Sequence, residues 1–359
     1  MITRSALLLT PPSSQHLPTQ NIAAHTLPIF FFHGVTDNAD VGILLQQNLS
    51  TPERPFIPLS FCENECSMKD LNMQTKLAID QIRNLTSNDA RFDRGYVFVG
   101  HSQGGALARA VVEEMDDHKV HTLITLAGAM NGIFYGPQAS DLMPSLIFRD
   151  GFAPLMIDKS LHDFSAYSID DIRSGRLGID LLKLQMAQPQ LSGTVYQLPI
   201  SPVQELFSVH NNFLGVLNNA QVASSSAIDA EQRRRKRNFL KLQDAHFFAS
   251  PQDEVVSPWQ SSIFGQYSNV ESMEKLEQAF TTLRVLPMRD TVAYKRDAFG
   301  LRTLDTRGGL HLHIIENVSH ACWLRDIVPF GSTDTCKFQP VFEQTLFPLL
   351  SQSHHIIHT

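Results

Sequence analysis

Cysteine, tryptophan and long apolar runs are all scarce in this chain. Only 4 cysteines and 2 tryptophans occur among its 359 residues. The cysteines (Cys62, Cys66, Cys322 and Cys336) lack zinc-site spacing, and no His-Glu-x-x-His string is present, so no metal is expected. Neither a Gly-x-Gly-x-x-Gly nor a P-loop occurs, and no cofactor is expected. Apolar runs such as LPIFFF, from Leu27 to Phe32, stop at the length of a core strand. A bilayer span needs ~20 residues, so no stable membrane span is expected. An excess of basic charge is also missing. The net charge of −7 gives no reason to expect a nucleic-acid partner.

What is present suits a large globular core, with 43% hydrophobic and 18% charged residues. Arg4 followed by SALLL resembles a signal peptide, but its apolar stretch is shorter than the ~7–15 residues of such segments. Residues 1–26 therefore read as a disordered lead-in or a degenerate targeting segment, 27–350 as one domain, and 351–359 as a tail. Asn-x-Ser/Thr acceptors begin at Asn48, Asn84 and Asn317. Cys322 and Cys336, separated by 13 positions, are predicted to pair, and Cys62 and Cys66 to pair locally.

From Pro28 to Ala129 strands and helices alternate. Strands are expected near Ile29–His33, Phe56–Phe61, Tyr96–Gly100 and Thr122–Leu126, with helices over Val41–Leu49, Asp70–Leu85 and Gly104–Met115. Such alternation implies a parallel sheet covered by helices on both faces. The rhythm breaks over about residues 130–238, which are rich in Pro, Ser and Asp with short amphipathic pieces such as Gly178–Met186; this insertion reads as a cap over the carboxyl edge of the sheet. The basic run Arg233–Arg237 reads as a solvated helix face rather than a nucleic-acid site. Short strands return at Ala245–Ala249 and Leu312–Ile315, and Pro340–Leu350 has helical periodicity.

The chemistry lies in YVFVGHSQGGA, from Tyr96 to Ala106. An apolar strand runs into Gly100-His101-Ser102-Gln103-Gly104 and then a helical segment, the setting of a Gly-x-Ser-x-Gly nucleophile elbow. Gly100 and Gly104 leave room for strand and helix to approach at a sharp turn. A serine hydroxyl needs an imidazole to take its proton and a carboxylate to orient that imidazole. In an α/β-hydrolase the chain order is serine, acid, histidine, each on a loop after a strand. Asp253, in SPQDEVVSP after the strand AHFFA, is the candidate acid, with Glu254 as the adjacent alternative. His320, after LHLHII and the turn ENVS, is the candidate base, while His246, His311 and His313 lie inside strands and read as structural. The oxyanion donors are expected to be the N–H groups of Gln103 and Val35, with His33 and Gly34 shaping the loop HGVTD.

Several longer strings resemble the palmitoyl-protein thioesterase family, most closely its second, lysosomal type: FFFHGVTDN, GHSQGGALARAVVEEMDDHKVHTLITLAG, ASPQDEVVSPWQSSIFGQY and RDAFGLRTLDTRGGLHLHIIENVSHACW. The resemblance places Asp253 and His320 at the family's catalytic acid and histidine. It implies an α/β-hydrolase fold, a mostly parallel sheet with a helical cap, and hydrolysis of long-chain fatty acyl thioesters in lysosomes or the secretory pathway. For the second type it also implies that small thioesters such as acyl-CoA are better substrates than palmitoylated proteins. The expected partner is a fatty acyl thioester, with transient lipid-surface contact by the cap. Near Tyr196–Pro202 the string YQLPISP departs from the family's Tyr-Trp-His-Asp-Pro, and the insertion has no cysteine. The same three residues also suit a lipase or carboxylesterase acting on oxygen esters. A non-catalytic lipid-binding homologue is the alternative outside enzymes.

Overall fold

The computed structural model describes residues 24–188, 193–198, 200–203, 210–220 and 225–351. Most of the expected lead-in and tail, and Pro199 of YQLPISP, lie outside the described residues. The main sheet contains β1 (Ile29–Phe32), β2 (Phe56–Pro58), β3 (Tyr96–His101), β4 (Val120–Leu126) and β5 (Asp244–Ala249). A short antiparallel pair follows, β6 (Gln266–Tyr267) with β7 (Val285–Leu286), before the sixth main strand, β8 (Leu310–Ile314). The order is β2-β1-β3-β4-β5-β8, and every pairing is parallel. All six carboxyl ends therefore meet at one edge.

β1 and β3 are buried along their whole length, which is why they read as continuous apolar runs rather than alternating ones. β2 is shorter than its sequence suggests. β2 ends at Pro58 on the sheet's rim, where a missing N–H is tolerated, and the Leu59 N–H still donates to the Phe31 carbonyl at 2.9 Å. β8 begins at Leu310 rather than Leu312, and pairs with β5 from Ala245↔Leu310 to Ala249↔Ile314.

Six helices matter here: α1 (Ile43–Leu49), α2 (Leu71–Thr86), α3 (Gln103–Glu114), α4 (Arg176–Ala187), α5 (Ser226–Phe239) and α6 (Phe338–Leu350). The Asp70 carboxylate caps α2 by accepting from the Met73 N–H at 2.8 Å, and the Ser225 hydroxyl caps α5 by accepting from Ile228 at 3.3 Å. Alternate side chains of β1 point to opposite faces. Phe30 and Phe32 pack with Ile82 of α2, Leu107 of α3 and Phe239 of α5. Ile29 and Phe31 pack with Leu45 of α1 and Leu346 of α6. A parallel sheet covered by helices on both faces, with a sharp strand-to-helix turn after β3, is the α/β-hydrolase fold. The segment between β4 and β5 has a further small core of its own, containing Tyr135, Phe148, Phe164, Leu177 and Leu181.

The basic run on α5 is only partly a solvated face. Arg234 pairs with Asp116 and Glu231 at 2.8 Å and with Glu114, and Lys236 pairs with Asp297 at 2.8 Å. The pairs with Glu114 and Asp116 lash α5 to the end of α3, the Asp297 pair ties it to the segment before β8, and Arg233 and Arg237 are left exposed.

Where α3 crosses β1 there is no room for a side chain. A Cβ on Gly104 would collide with the carbonyl oxygens of Phe32 and His33, and one on Gly100 would meet the Gly104 carbonyl oxygen at 2.5 Å. A Cβ on Gly151, by contrast, meets nothing within 4 Å. Gly104→Ala is expected to lower stability by about 3 kcal/mol or more through overpacking against rigid backbone. Urea unfolding checks this, with Gly151→Ala as the near-neutral control.

Candidate active site

Ser102 sits between β3 and α3 at φ 55°, ψ −128°, a conformation that costs a non-glycine residue of order 1–3 kcal/mol. The surroundings hold it there. Its N–H donates to Leu126 at 3.0 Å, and its carbonyl accepts from Gly105 at 3.0 Å and Ala129 at 3.3 Å. Gln103 opens the helix, and its side chain donates to the Ser67 carbonyl at 2.9 Å and to Gln74 Oε1 at 3.2 Å. The elbow is thus tied to the segment that leads into α2.

The loop after β1 lies against the elbow. A Cβ on Gly34 would stand 3.2 Å from Ser102 Cβ and 3.6 Å from its Oγ, so only glycine lets this backbone approach so closely. His33 is fully buried, stacks on Phe61 with ring centroids 5.3 Å apart, and shares its Nδ1 hydrogen with the Gly34 carbonyl at 2.9 Å. Burial lowers its pKa, against smaller opposing effects of the Gly34 hydrogen bond, Asp37 and Glu63, and so favours the neutral ring. The Thr36 N–H donates to Ser67 Oγ at 2.7 Å and the Ala39 N–H to Glu63 Oε1 at 2.8 Å. The Cys62–Cys66 disulfide lies inside this gripping segment. Among the described residues, the N–H groups of Val35 and Gln103 have no acceptor, and both residues line the cleft beside Ser102.

Asp253 follows β5 and His320 follows β8, adjacent parallel strands whose ends deliver both loops to the same place. The two Asp253 oxygens lie 3.1 and 3.0 Å from His320 Nδ1. Oδ1 also accepts from the N–H groups of Val255 at 2.8 Å and Val256 at 2.9 Å. This arrangement fixes the tautomer, because Nδ1 carries the proton facing a carboxylate and leaves Nε2 as the basic nitrogen. Burial pulls the His320 pKa down, but the charge and hydrogen bond of Asp253, with smaller contributions from Glu254 and Asp37, raise it overall. Ser102 and His320 are each 8% exposed and Asp253 4%. The Ser102 hydroxyl makes no hydrogen bond among the described residues; the structure joins Asp253 to His320 directly and sets His320 against His101, the residue before Ser102.

The sequence reading does not single out His101, and it takes Glu254 only as an alternative to Asp253. His101 precedes Ser102, and its ring lies 4.8 Å from that of His320. Its Nε2–H donates to the His320 carbonyl at 2.8 Å, and burial, reinforced by the charge of His320, lowers its pKa to about 3. It is a neutral strut, and nothing in an x position of Gly-x-Ser-x-Gly signals that. Glu254 does not compete with Asp253 for the imidazole. Its Oε2 accepts from the main-chain N–H of His320 at 2.9 Å.

Ser102, Val35 and Gln103 open onto a cleft. Its walls are apolar, and Tyr135, Phe148, Phe152, Met156, Leu181 and Leu198 come from the segment between β4 and β5. Among the described residues no group of side chains suits a metal ion, and no helix is long and apolar enough to cross a membrane.

A nucleophile-type elbow, an imidazole oriented by a carboxylate and an apolar cleft now stand together, and the family model described as palmitoyl protein thioesterase matches residues 28–320. The chain belongs to that family. It is 27% identical to lysosomal thioesterase PPT2-B of Xenopus laevis over 239 residues, 64% of this chain and 64% of that protein. The match therefore spans just under two thirds of the frog relative. Against the lysosomal thioesterase PPT2 homolog of Drosophila melanogaster it is 25% identical over 253 residues, 70% of this chain and 72% of that one. Among solved structures, the peroxisomal alpha-beta-hydrolase Lpx1 of Saccharomyces cerevisiae is 13% identical with a TM-score of 0.38, over 94% of this chain and 82% of that chain.

Just beyond His320, Cys322 is disulfide-bonded to Cys336, and the Ile327 and Cys336 main chains pair with each other at 3.0 and 2.8 Å. Cross-linking residues 14 apart contributes about 3 kcal/mol in the chain-entropy model. The double variant Cys322→Ser, Cys336→Ser is expected to lose about that much in urea unfolding. Thiol titration of the unreduced, unfolded wild type should find no free cysteine.

Proposed function

We propose that the chain is a serine thioesterase that hydrolyses long-chain fatty acyl (palmitoyl-type) thioesters, such as acyl-CoA or S-acylated cysteine. The observation that carries this reading is the apolar lining of the cleft that opens at Ser102, beside the His320–Asp253 pair. An acyl chain offers no hydrogen bonds, and this cleft asks for none. Membership of the palmitoyl protein thioesterase family supports the same substrate class.

Ser102 Oγ attacks the thioester carbonyl carbon as His320 Nε2 takes the hydroxyl proton. Asp253 holds the ring and stabilises the imidazolium. The N–H groups of Val35 and Gln103 receive the developing oxyanion. The C–S bond then breaks, the thiolate leaves and is protonated by His320, and an acyl-serine remains. Water enters, gives its proton to His320 and attacks the acyl carbon. Breakdown of the second tetrahedral intermediate returns that proton to Ser102 and frees the fatty acid. Contact between Ser102 and His320 tightens with substrate in place, as such contacts often do.

The segment between β4 and β5 acts as the cap in this reading. Its exposed Leu155, Leu161 and Ile169 suit transient contact with a lipid surface. Two disulfides and the exposed acceptors Asn48, Asn84 and Asn317 favour the secretory pathway or the lysosome.

Purified protein is expected to release thiol from palmitoyl-CoA, and Ser102→Ala to lower kcat about 10⁴-fold or more. Matched oxygen esters should be turned over more slowly; a preference for them would make the protein an esterase. No thiol release between acidic and neutral pH would end the thioesterase reading. Failure of a fluorophosphonate probe to label Ser102 would point to a non-catalytic homologue.

Chain length gives an independent check on the cleft. Leu181→Trp puts bulk into its wall. It is expected to raise KM for palmitoyl-CoA about tenfold while changing that for a short acyl-CoA by less than about twofold.

A further inference from the structure

The loop after β5 grips the histidine loop with a comb of side chains. Ser250 Oγ accepts from the Val318 N–H at 3.3 Å, Gln252 Oε1 from Asn317 at 2.7 Å, and Glu254 Oε2 from His320 at 2.9 Å. The three residues sit on the turn that follows β5, and each reaches a main-chain N–H of the histidine loop. Asp253, between the last two teeth, takes the imidazole instead. His320 is therefore held at three points: its ring by Asp253, its N–H by Glu254 and its carbonyl by the Nε2–H of His101.

Glu254 differs from the other teeth because it carries charge. A hydroxyl or an amide oxygen at this position would also accept the His320 N–H. A half-buried carboxylate makes that bond charge-assisted, about twice as strong as a neutral one. It also sets a second anion beside the imidazolium that forms during acyl transfer. Nothing in the geometry of the Asp253–His320 pair requires that second anion.

We propose that Glu254 is a positioning residue for His320, holding the histidine loop by its main chain and using its charge, with that of Asp253, to set the pH at which the site switches off. The proposal rests on the reading of Ser102, His320 and Asp253 as a triad.

The direction of the pH effect follows from the groups present. Asp253 and His320 are the titratable groups that face Glu254. Asp37 also acts on His320, His320 in turn acts on the buried His101, and Arg325 acts on Asp37 and His101. His320 works as a base only when neutral, and its pKa is raised, so activity falls as pH drops through that raised value. Removing the Glu254 charge removes one of the causes of the rise. The acid limb of the profile then moves to lower pH. Burial also raises the pKa of Glu254, and the charge of Asp253 adds to this. The clamp consequently takes up its proton at a higher pH than an ordinary glutamate.

Two variants separate clamp from charge. Glu254→Gln keeps an acceptor oxygen and removes the charge. Glu254→Ala removes both. The pH profile of kcat/KM for palmitoyl-CoA is measured for each, beside the pH profile of Ser102 labelling by a fluorophosphonate, which needs no thioester. Glu254→Ala is expected to lower kcat about tenfold at neutral pH with KM unchanged, since misplacing a reacting group is costly in rate. Glu254→Gln should recover most of that loss. Both should move the acid limb to lower pH, and should do so in labelling as well as in turnover. An acid limb that stays where the wild type has it in Glu254→Gln overturns the electrostatic role, even if Glu254→Ala fails to fold. Equal kcat in wild type and Glu254→Ala overturns the clamp. A wild type that labels but turns over no thioester refutes the substrate reading and leaves this test running on labelling alone. A wild type that fails to label overturns both.

Discussion

The close crossing of α3 over the end of β1 is the contact on which the site depends. Backbone packs on backbone there, with Gly104 against the carbonyls of Phe32 and His33 and Gly100 against Gly104. That closeness forces the chain to reverse within a few residues, and the reversal holds Ser102 at positive φ. The strain is local, of order 1–3 kcal/mol, and the packing of a fully buried sheet offsets it. Its effect is geometric. A relaxed serine at this point would lie along the strand or the helix. The strained one stands off both, next to Gly34 and at the mouth of the cleft.

Parallel pairing does the rest of the assembly. Because β1, β3, β5 and β8 all run the same way, the loops carrying Val35, Ser102, Asp253 and His320 emerge at one edge from residues far apart in sequence. Each loop is then fixed by a different device. A two-cysteine staple stiffens the segment that grips the loop after β1. A comb of acceptors joins the loops after β5 and β8. The Cys322–Cys336 bridge closes the chain behind His320. The histidines are sorted by environment. His33 and His101 are buried without a carboxylate partner and are held neutral, while His320 is equally enclosed but faces Asp253 and is pushed the other way. Of these three rings, the one beside the carboxylate takes up a proton with the smallest desolvation penalty.

Much of this arrangement was legible before any coordinates. β1 and β3 are buried on both sides and so carry unbroken apolar strings, which a sequence displays openly. The adjacency of Asp253 and His320 follows from their placing after successive main strands in a parallel sheet. The shortening of β2 at Pro58 was missed because FIPLSF has the composition of a longer strand. The basic run on α5 was read as solvated because its partners Glu114, Asp116 and Asp297 are about 60 to 120 positions away. Glu254 was weighed only as a rival to Asp253. Its part as a main-chain acceptor depends on which way a side chain points from an irregular loop, and no periodicity encodes that.

The segment between β4 and β5 was the hardest to read, and its packing explains why. The sheet's two faces form large cores in which each position answers to strands and helices on several sides. Tyr135, Phe148, Phe164, Leu177 and Leu181 instead satisfy one another in a separate small core. Such a unit can exchange one apolar residue for another with little consequence for the sheet beneath it. Its sequence is therefore free to drift while the edge that holds Ser102, Asp253 and His320 is not. The same residues, Tyr135, Phe148 and Leu181, also wall the cleft. Freedom to drift in that small core is thus freedom to reshape what the cleft admits, so the elbow with its neighbours and the shape of the cleft are written into parts of the molecule under very different packing constraints.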